Sequence, residues 1–201
     1  MKLSRRQFLV LGGSALLLPN ILPDILAAAP TGAVPVLMYH DITDMYKDPY
    51  STPPALFAAH MEWLYSSGYR AVTLAEAVND KVVQTPRVVI TFDDGYASFL
   101  DYAFPLLNEY RFKATINLIA GYAGSYIKYI GPRPMISWDE YRFLCRSGLV
   151  DLGCHTANLH TGRGVLDFSS TALELDLISF RQTVRHETGV ETEIIAWPFG
   201  V

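Results

Sequence analysis

Two carboxylates stand side by side in RVVITFDDGY, residues 87–96, at the end of an apolar β-branched run. Aspartate disfavours strands and repels a like-charged neighbour, so Asp93 and Asp94 form either a turn or a site. A second polar cluster, HTANLH at 155–160, holds two histidines with four residues between them. Asp94, His155 and His160 make a two-histidine, one-carboxylate set that suits a divalent cation and leaves some of its faces open. Such a cation lowers the pKa of bound water from about 15.7 to about 7, and a neighbouring carboxylate is free to take the proton. Spacing alone leaves open which aspartate does which job. On a helix the two histidines would lie about 140° apart, at roughly 100° per residue, so their segment has to be a loop or irregular turn. The TGRG that follows at 161–164 allows one.

The elements that position these residues alternate in type. Apolar runs at 34–39, 69–72, 87–92, 113–119, 149–153 and 193–197 read as strands. Helical patterns fall near 54–67, 74–79, 98–110, 138–147 and 170–188, with a break expected at Pro105. Thr73 with Glu76 and Ser137 with Glu140 have capping-box spacing, and Gly148 and Gly189 stand where helices stop. Strands alternating with helices imply right-handed crossovers and a parallel α/β sheet, either a barrel or an open doubly wound one. His40, Asp93, Asp94, Asn117, His155 and Phe199 all fall at or just past the C-terminal ends of expected strands, the edge where such folds build sites. An Asp-Gly hairpin turn is disfavoured because the segment after it reads as a helix rather than a partner strand.

Composition narrows the class of partner. Half of the 201 residues are hydrophobic and 18% are charged, enough for one sizeable core and too apolar for disorder. The opening MKLSRRQFLVLGGSALLLPNILPDILAAAP has a basic start, an apolar stretch and then Ala27, Ala28 and Ala29, the pattern of an export peptide over residues 1–29. Its Ser4, Arg5, Arg6, Phe8 and Leu9 resemble the twin-arginine form, which implies a periplasmic or extracellular destination. Pro19, Pro23 and Asp24 interrupt the apolar run too early for a span of roughly twenty residues, so no stable membrane span is expected once the peptide is removed. Residues 30–201 form the expected domain and retain 13 basic and 19 acidic residues, a charge near −6. Without a basic cluster, nucleic acid is not an expected partner. Cys145 and Cys154 do not have zinc-ribbon spacing and receive no role.

At these motifs the chain resembles the polysaccharide deacetylases with NodB homology, carbohydrate esterase family 4, over roughly residues 34–200. TFDDG at 91–95 is similar to the first motif of that family and HTANLH to the second. The resemblance implies Asp93 as general base, Asp94, His155 and His160 as ligands, and a divalent cation, zinc or another transition metal such as nickel, cobalt or iron. It also implies a distorted (β/α) barrel, expected to be incomplete at its C-terminus. The four-residue spacing in HTANLH and the VPVLMYHDI at 34–42 are similar to the branch that deacetylates poly-β-1,6-N-acetylglucosamine. In that branch the general acid comes from the early strand, which here implies His40.

One motif departs from the family pattern. AWPFG at 196–200 puts Ala196 where many members have arginine and Phe199 where they have tyrosine. In the family the backbone N–H at this aromatic position serves the oxyanion hole, and the resemblance implies the same for Phe199, while the orientation of Asp93 is left to some other group. The expectation is metal-dependent N-deacetylation of a polysaccharide, with Tyr39, Tyr96 and Trp197 as walls for a sugar ring. Its rivals are a peptidoglycan or chitin deacetylase and a non-catalytic carbohydrate-binding fragment. Oligomeric state is not legible.

Overall fold

Parallel strands that are buried on both faces read as continuous apolar runs, and RVVITFDD is one: all eight residues of its strand are buried. The computed structural model of the protein describes residues 10–11, 23, 26, 33–79, 86–127, 131–160 and 164–200. Apart from Val10, Leu11, Pro23 and Leu26, the expected export peptide lies outside the described residues. The strands are β1 (Val10–Leu11), β2 (Val36–Tyr39), β3 (Asp41–Ile42), β4 (Ser51–Thr52), β5 (Arg70–Val72), β6 (Arg87–Asp94), β7 (Ala114–Leu118), β8 (Tyr126–Ile127), β9 (Arg133–Pro134) and β10 (Val150–Cys154). The helices are α1 (Pro54–Ser66), α2 (Leu74–Asn79), α3 (Phe104–Tyr110), α4 (Trp138–Arg146) and α5 (Ser170–Thr188).

The chain divides into two units, the first formed by Met1–Phe92 and Ser98–Ala114, the second by Asp93–Ala97 and Thr115–Val201. In the first unit β2 and β5 flank β6, both parallel to it, with Val36 opposite Val89 and Ala71 opposite Val88. β1 lies parallel to β2 on its far side. Helix α1 buries Phe57, His60, Met61 and Leu64, a stripe at i, i+3, i+4 and i+7 that turns one face inward. Phe57 meets Tyr39 and Phe92 ring edge to face, at centroid distances of 5.1 and 5.7 Å. The Thr73 hydroxyl accepts from the Glu76 N–H and the Glu76 carboxylate from the Thr73 N–H, both at 3.2 Å, so the expected capping box opens α2. The break near Pro105 takes the form of a π-helical turn over Phe99–Ala103 ahead of α3. The Phe104 N–H reaches back to the Phe99 carbonyl there.

In the second unit the backbone runs Asp94, β7 and β10 side by side. The Ile119 N–H donates to the Asp94 carbonyl at 3.2 Å, and the His155 N–H to the Leu118 carbonyl at 3.0 Å. The strand expected at 193–197 is reduced to a single parallel bridge between Cys154 and Ile195, flanked by the bonds Cys154 N–H to Ile194 and Ala196 N–H to Cys154. Pro198 ends the run, since it has no N–H to continue a ladder. Helix α4 begins with the full Ser137–Glu140 capping box, and α5 ends at Gly189 with φ 75°. Arg142 on α4 joins the two helices by donating to the Glu187 carbonyl at 2.8 Å. Tyr96, Ile119, Ile127 and Met135 form a buried cluster.

Candidate metal centre

Strand β6 does not stop before the aspartates, as the sequence suggests, but includes them. Its last step is a sharp one. The Gly95 N–H returns to the Asp93 carbonyl at 2.9 Å, and Asp94, at the centre of this three-residue turn, has φ 71°. Tight turns of this hand are strained, and aspartate is one of the few side chains that tolerates the left-handed region. Gly95 follows at φ 95°, and a Cβ there would lie 2.1 Å from the Tyr141 hydroxyl. Glycine is therefore required twice over at this position, by backbone conformation and by space. Burial, and then the Asp94 carboxylate, push the Tyr141 phenol well above its ordinary range, so it stays protonated.

The turn aims the two carboxylates differently. Asp93 accepts from the Asn117 side-chain amide, Nδ2 to Oδ1 at 2.7 Å. A Cβ on Gly153 would come within 2.2 Å of the Asn117 Oδ1, so the glycine in VDLGC makes room for this amide. Asn117 thus supplies a hold on Asp93 that Ala196 does not. The sequence marked Asn117 by its place late in a strand but did not pair it with Asp93.

Asp94 points to both histidines. Its Oδ1 is 3.5 Å from His155 Nε2 and 3.4 Å from His160 Nε2, and the candidate donor atoms all lie within 4.8 Å of one another. Residues 155–160 form no helix or strand, which is what lets histidines five apart share a target. His155 Nδ1 lies 2.8 Å from the Ala196 carbonyl. A carbonyl only accepts, so Nδ1 carries the proton and Nε2 of the neutral ring presents its lone pair to the carboxylate. Burial lowers the His155 pKa to about 4, against the opposing Ala196 bond. Burial and then His155 bring His160 to about 4 as well. Both rings are therefore neutral near pH 7.

The lone pair of His155 Nε2 and the carboxylate oxygen 3.5 Å from it are poor company for each other and good company for a cation. Donors bound at about 2.0–2.2 Å around a tetrahedral ion are themselves about 3.4 Å apart, so the residues fit a divalent metal. The hydrogen bond from the remote imidazole nitrogen to a backbone carbonyl is the usual outer support of such a ligand.

The other expected residues fall as follows. Phe199 stacks obliquely on His160, with centroids 5.2 Å apart. It sits in a 3-10 turn over Pro198–Gly200 with φ 57° and is half exposed. Trp197 is 37% exposed. Tyr96 differs from its expected place: it is 2% exposed, with the Arg133 guanidinium 5.8 Å over its ring, so its aromatic surface is spent on the core. His40 stands just past β2, its ring packed edge to face against Tyr50 in the first unit with the centroids 5.3 Å apart. Cys145 and Cys154 are both free thiols.

The family model for polysaccharide deacetylase matches residues 80–201. This chain belongs to the polysaccharide deacetylase family. It is 30% identical over 171 residues to the protein YxkH of Bacillus subtilis (strain 168), covering 83% of this chain and 57% of that protein. It is 25% identical over 202 residues to the poly-beta-1,6-N-acetyl-D-glucosamine N-deacetylase of Escherichia coli (strain K12), covering 82% of this chain and 30% of that one. The chain therefore spans little more than half of the first relative and about a third of the second. The solved structure of IcaB from Ammonifex degensii aligns with a TM-score of 0.70 at 26% identity, covering 83% of this chain and 74% of that one. The fold class is the one that the sequence implied, α/β with the (β/α) barrel type of these deacetylases.

Proposed function

We propose that the protein catalyses metal-dependent hydrolytic N-deacetylation of a polysaccharide containing N-acetylglucosamine, with poly-β-1,6-N-acetylglucosamine the favoured polymer. The observation that carries this reading is the convergence of Asp94 Oδ1 with the Nε2 atoms of His155 and His160, next to a second carboxylate held by Asn117. The relative from Escherichia coli, whose name states this polymer, favours it here.

In this reading Asp94, His155 and His160 hold the cation: zinc, or another transition metal such as nickel, cobalt or iron. When bound, it would act as a Lewis acid toward the acetamide carbonyl and make water acidic enough to ionise near neutral pH. Asp93 takes the proton of the attacking water, with Asn117 keeping its carboxylate in one orientation. The Phe199 N–H donates to the oxyanion that develops on the former carbonyl. His40 delivers a proton to the departing amine. Trp197 offers an exposed ring for sugar stacking, whereas the burial of Tyr96 fits it to a supporting place. Residues 1–29 direct export by the twin-arginine route to the periplasm or beyond, residues 30–201 form the deacetylase domain, and no nucleic acid is a partner. The described residues contain no helix long and apolar enough to cross a membrane.

The deciding experiment incubates the chain and an Asp94→Ala variant with each of three polymers, poly-β-1,6-N-acetylglucosamine, chitin and peptidoglycan, plus added divalent cation. Acetate release from the first polymer that is lost in the variant is the expected result. Release from chitin or peptidoglycan instead would move the substrate, and no release from any would overturn the catalytic reading. Replacing Arg5 and Arg6 by lysine should block export of a reporter fusion, and undiminished export would overturn the proposed route.

A further inference from the structure

The turn between the two histidines is held by more than its own sequence. Thr156 is β-branched yet has φ 75°, a conformation such residues rarely adopt unless their surroundings impose it. Those surroundings are on both sides of the turn. The Ala120 N–H donates to the Thr156 carbonyl at 3.3 Å and the Gly121 N–H to the Ala157 carbonyl at 2.8 Å. On the other side the two oxygens of one carboxylate each take one amide. Ala157 N–H reaches Asp176 Oδ2 at 2.7 Å, and Asn158 N–H reaches Asp176 Oδ1 at 2.8 Å.

Asp176 is out of character for its place. It shares the buried stripe of α5 with Phe180 and Val184, at i, i+4 and i+8, where an apolar side chain would pack. A carboxylate is tolerated in such a stripe only when its oxygens are hydrogen-bonded, and here the partners are two consecutive amides between His155 and His160. Amides of a turn aimed at one carboxylate leave that turn a single arrangement. Without this acceptor Thr156 is free to return to the extended region, which would swing His160 away from Asp94.

We propose that Asp176 is a positioning residue for the metal centre, clamping the 155–158 turn so that both imidazoles converge on Asp94. The proposal rests on the reading of Asp94, His155 and His160 as a cation site. It makes the affinity of that site depend on a helix residue that touches neither the cation nor the substrate.

The test uses Zn²⁺ alone, titrated into the full chain against a chromophoric chelator, with Asp176→Asn as the main variant. The asparagine amide keeps the volume but turns a donor toward one of the two N–H groups. Zn²⁺ affinity should fall about ten- to a hundredfold, the range seen when outer support of a ligand is removed. Glu174→Gln, at an exposed position of the same helix, should leave it unchanged. Wild-type affinity in Asp176→Asn would overturn the proposal, as would a loss of folding stability with affinity retained. A measurement on the wild-type chain guards against a variant that fails to fold. In the metal-free protein the Ala157 and Asn158 amides should exchange with solvent slowly, and exchange as fast as in an open loop would overturn the clamp. The two readings fail separately. No Zn²⁺ binding by the wild-type chain overturns both, whereas binding that is lost in Asp94→Asn but kept in Asp176→Asn overturns the clamp alone.

Discussion

The protein buries histidine in two regions with opposite chemical consequences. In the first unit His60 lies in the apolar stripe of α1, and its Nδ1 meets the Tyr39 hydroxyl at 3.0 Å. Burial pushes that phenol well above its ordinary range, so it stays neutral, and a hydroxyl donates or accepts as the imidazole tautomer requires. Nothing in that pairing calls for a charge. In the second unit His155 faces a carbonyl on one nitrogen and a carboxylate on the other. Both groups are acceptors, the ring has one proton to offer, and a cation resolves what remains. Burial of a histidine is thus no signal of a site. The signal is a pair of acceptors that the single proton of a neutral, buried ring cannot satisfy.

The strongest way to break this contrast is Asp94→Asn. Removing the carboxylate from the convergent set should lower Zn²⁺ affinity at least about a hundredfold, or about 2.7 kcal/mol, as read by chelator competition. His60→Gln should leave that affinity unchanged. If the two variants lost affinity alike, the contrast would be wrong. Gly95→Ala should follow in size, because it forces a side chain into φ 95° and against the Tyr141 hydroxyl. We expect about 2–4 kcal/mol of lost stability in urea unfolding, along with weakened metal binding.

Acid sharpens the comparison further. His155 and His160 have folded pKa values lowered to about 4, against about 6.5 in an unfolded chain. Between those values the unfolded state binds more protons than the folded one, so stability falls as pH drops from about 6.5 to about 4 and levels off below. The metal-free protein should lose about 3 kcal/mol or more across this window, most of it from the buried His155. Saturating Zn²⁺ should raise the whole curve and carry the decline below about pH 4, because metal-bound imidazoles stay unprotonated there while those of the unfolded chain do not. The smallest effect belongs to Tyr39→Phe. It removes the hydroxyl from His60 and should cost about 1 kcal/mol of stability, with Zn²⁺ affinity unchanged.

Legibility from sequence followed how local the physics is. Helix α5 begins and ends where the sequence puts it, since Ser169, the apolar pattern and Gly189 act within a turn or two of their own positions. The same holds for the two capping boxes. The terminal strand was less legible. Residues 193–197 are apolar enough to read as a strand, but a strand needs a partner along its length, and only Ile195 bridges Cys154. Tyr39 and Tyr96 read as sugar-facing walls in sequence yet are buried, because an aromatic beside a motif looks the same in sequence whether it faces solvent or the core. Asn117 was visible as a polar residue near a strand end, yet its partner is 24 residues away. Asp176 carried no signal at all, because one acidic residue in a helix is usually a solvated one.

Residue types and short spacings in the sequence determined the donor set: two histidines in a segment that could not be a helix, and adjacent carboxylates ending a buried strand. Those are properties of the chain that hold wherever it is placed. Only the tertiary structure decided which carboxylate faces the histidines, which tautomer His155 adopts, and what holds Asp93 and the 155–158 turn. The first depends on groups more than sixty positions apart in sequence coming together, the others on hydrogen bonds between groups 18–41 residues apart. Bonds of that span exist only once folding has ordered the chain between their ends.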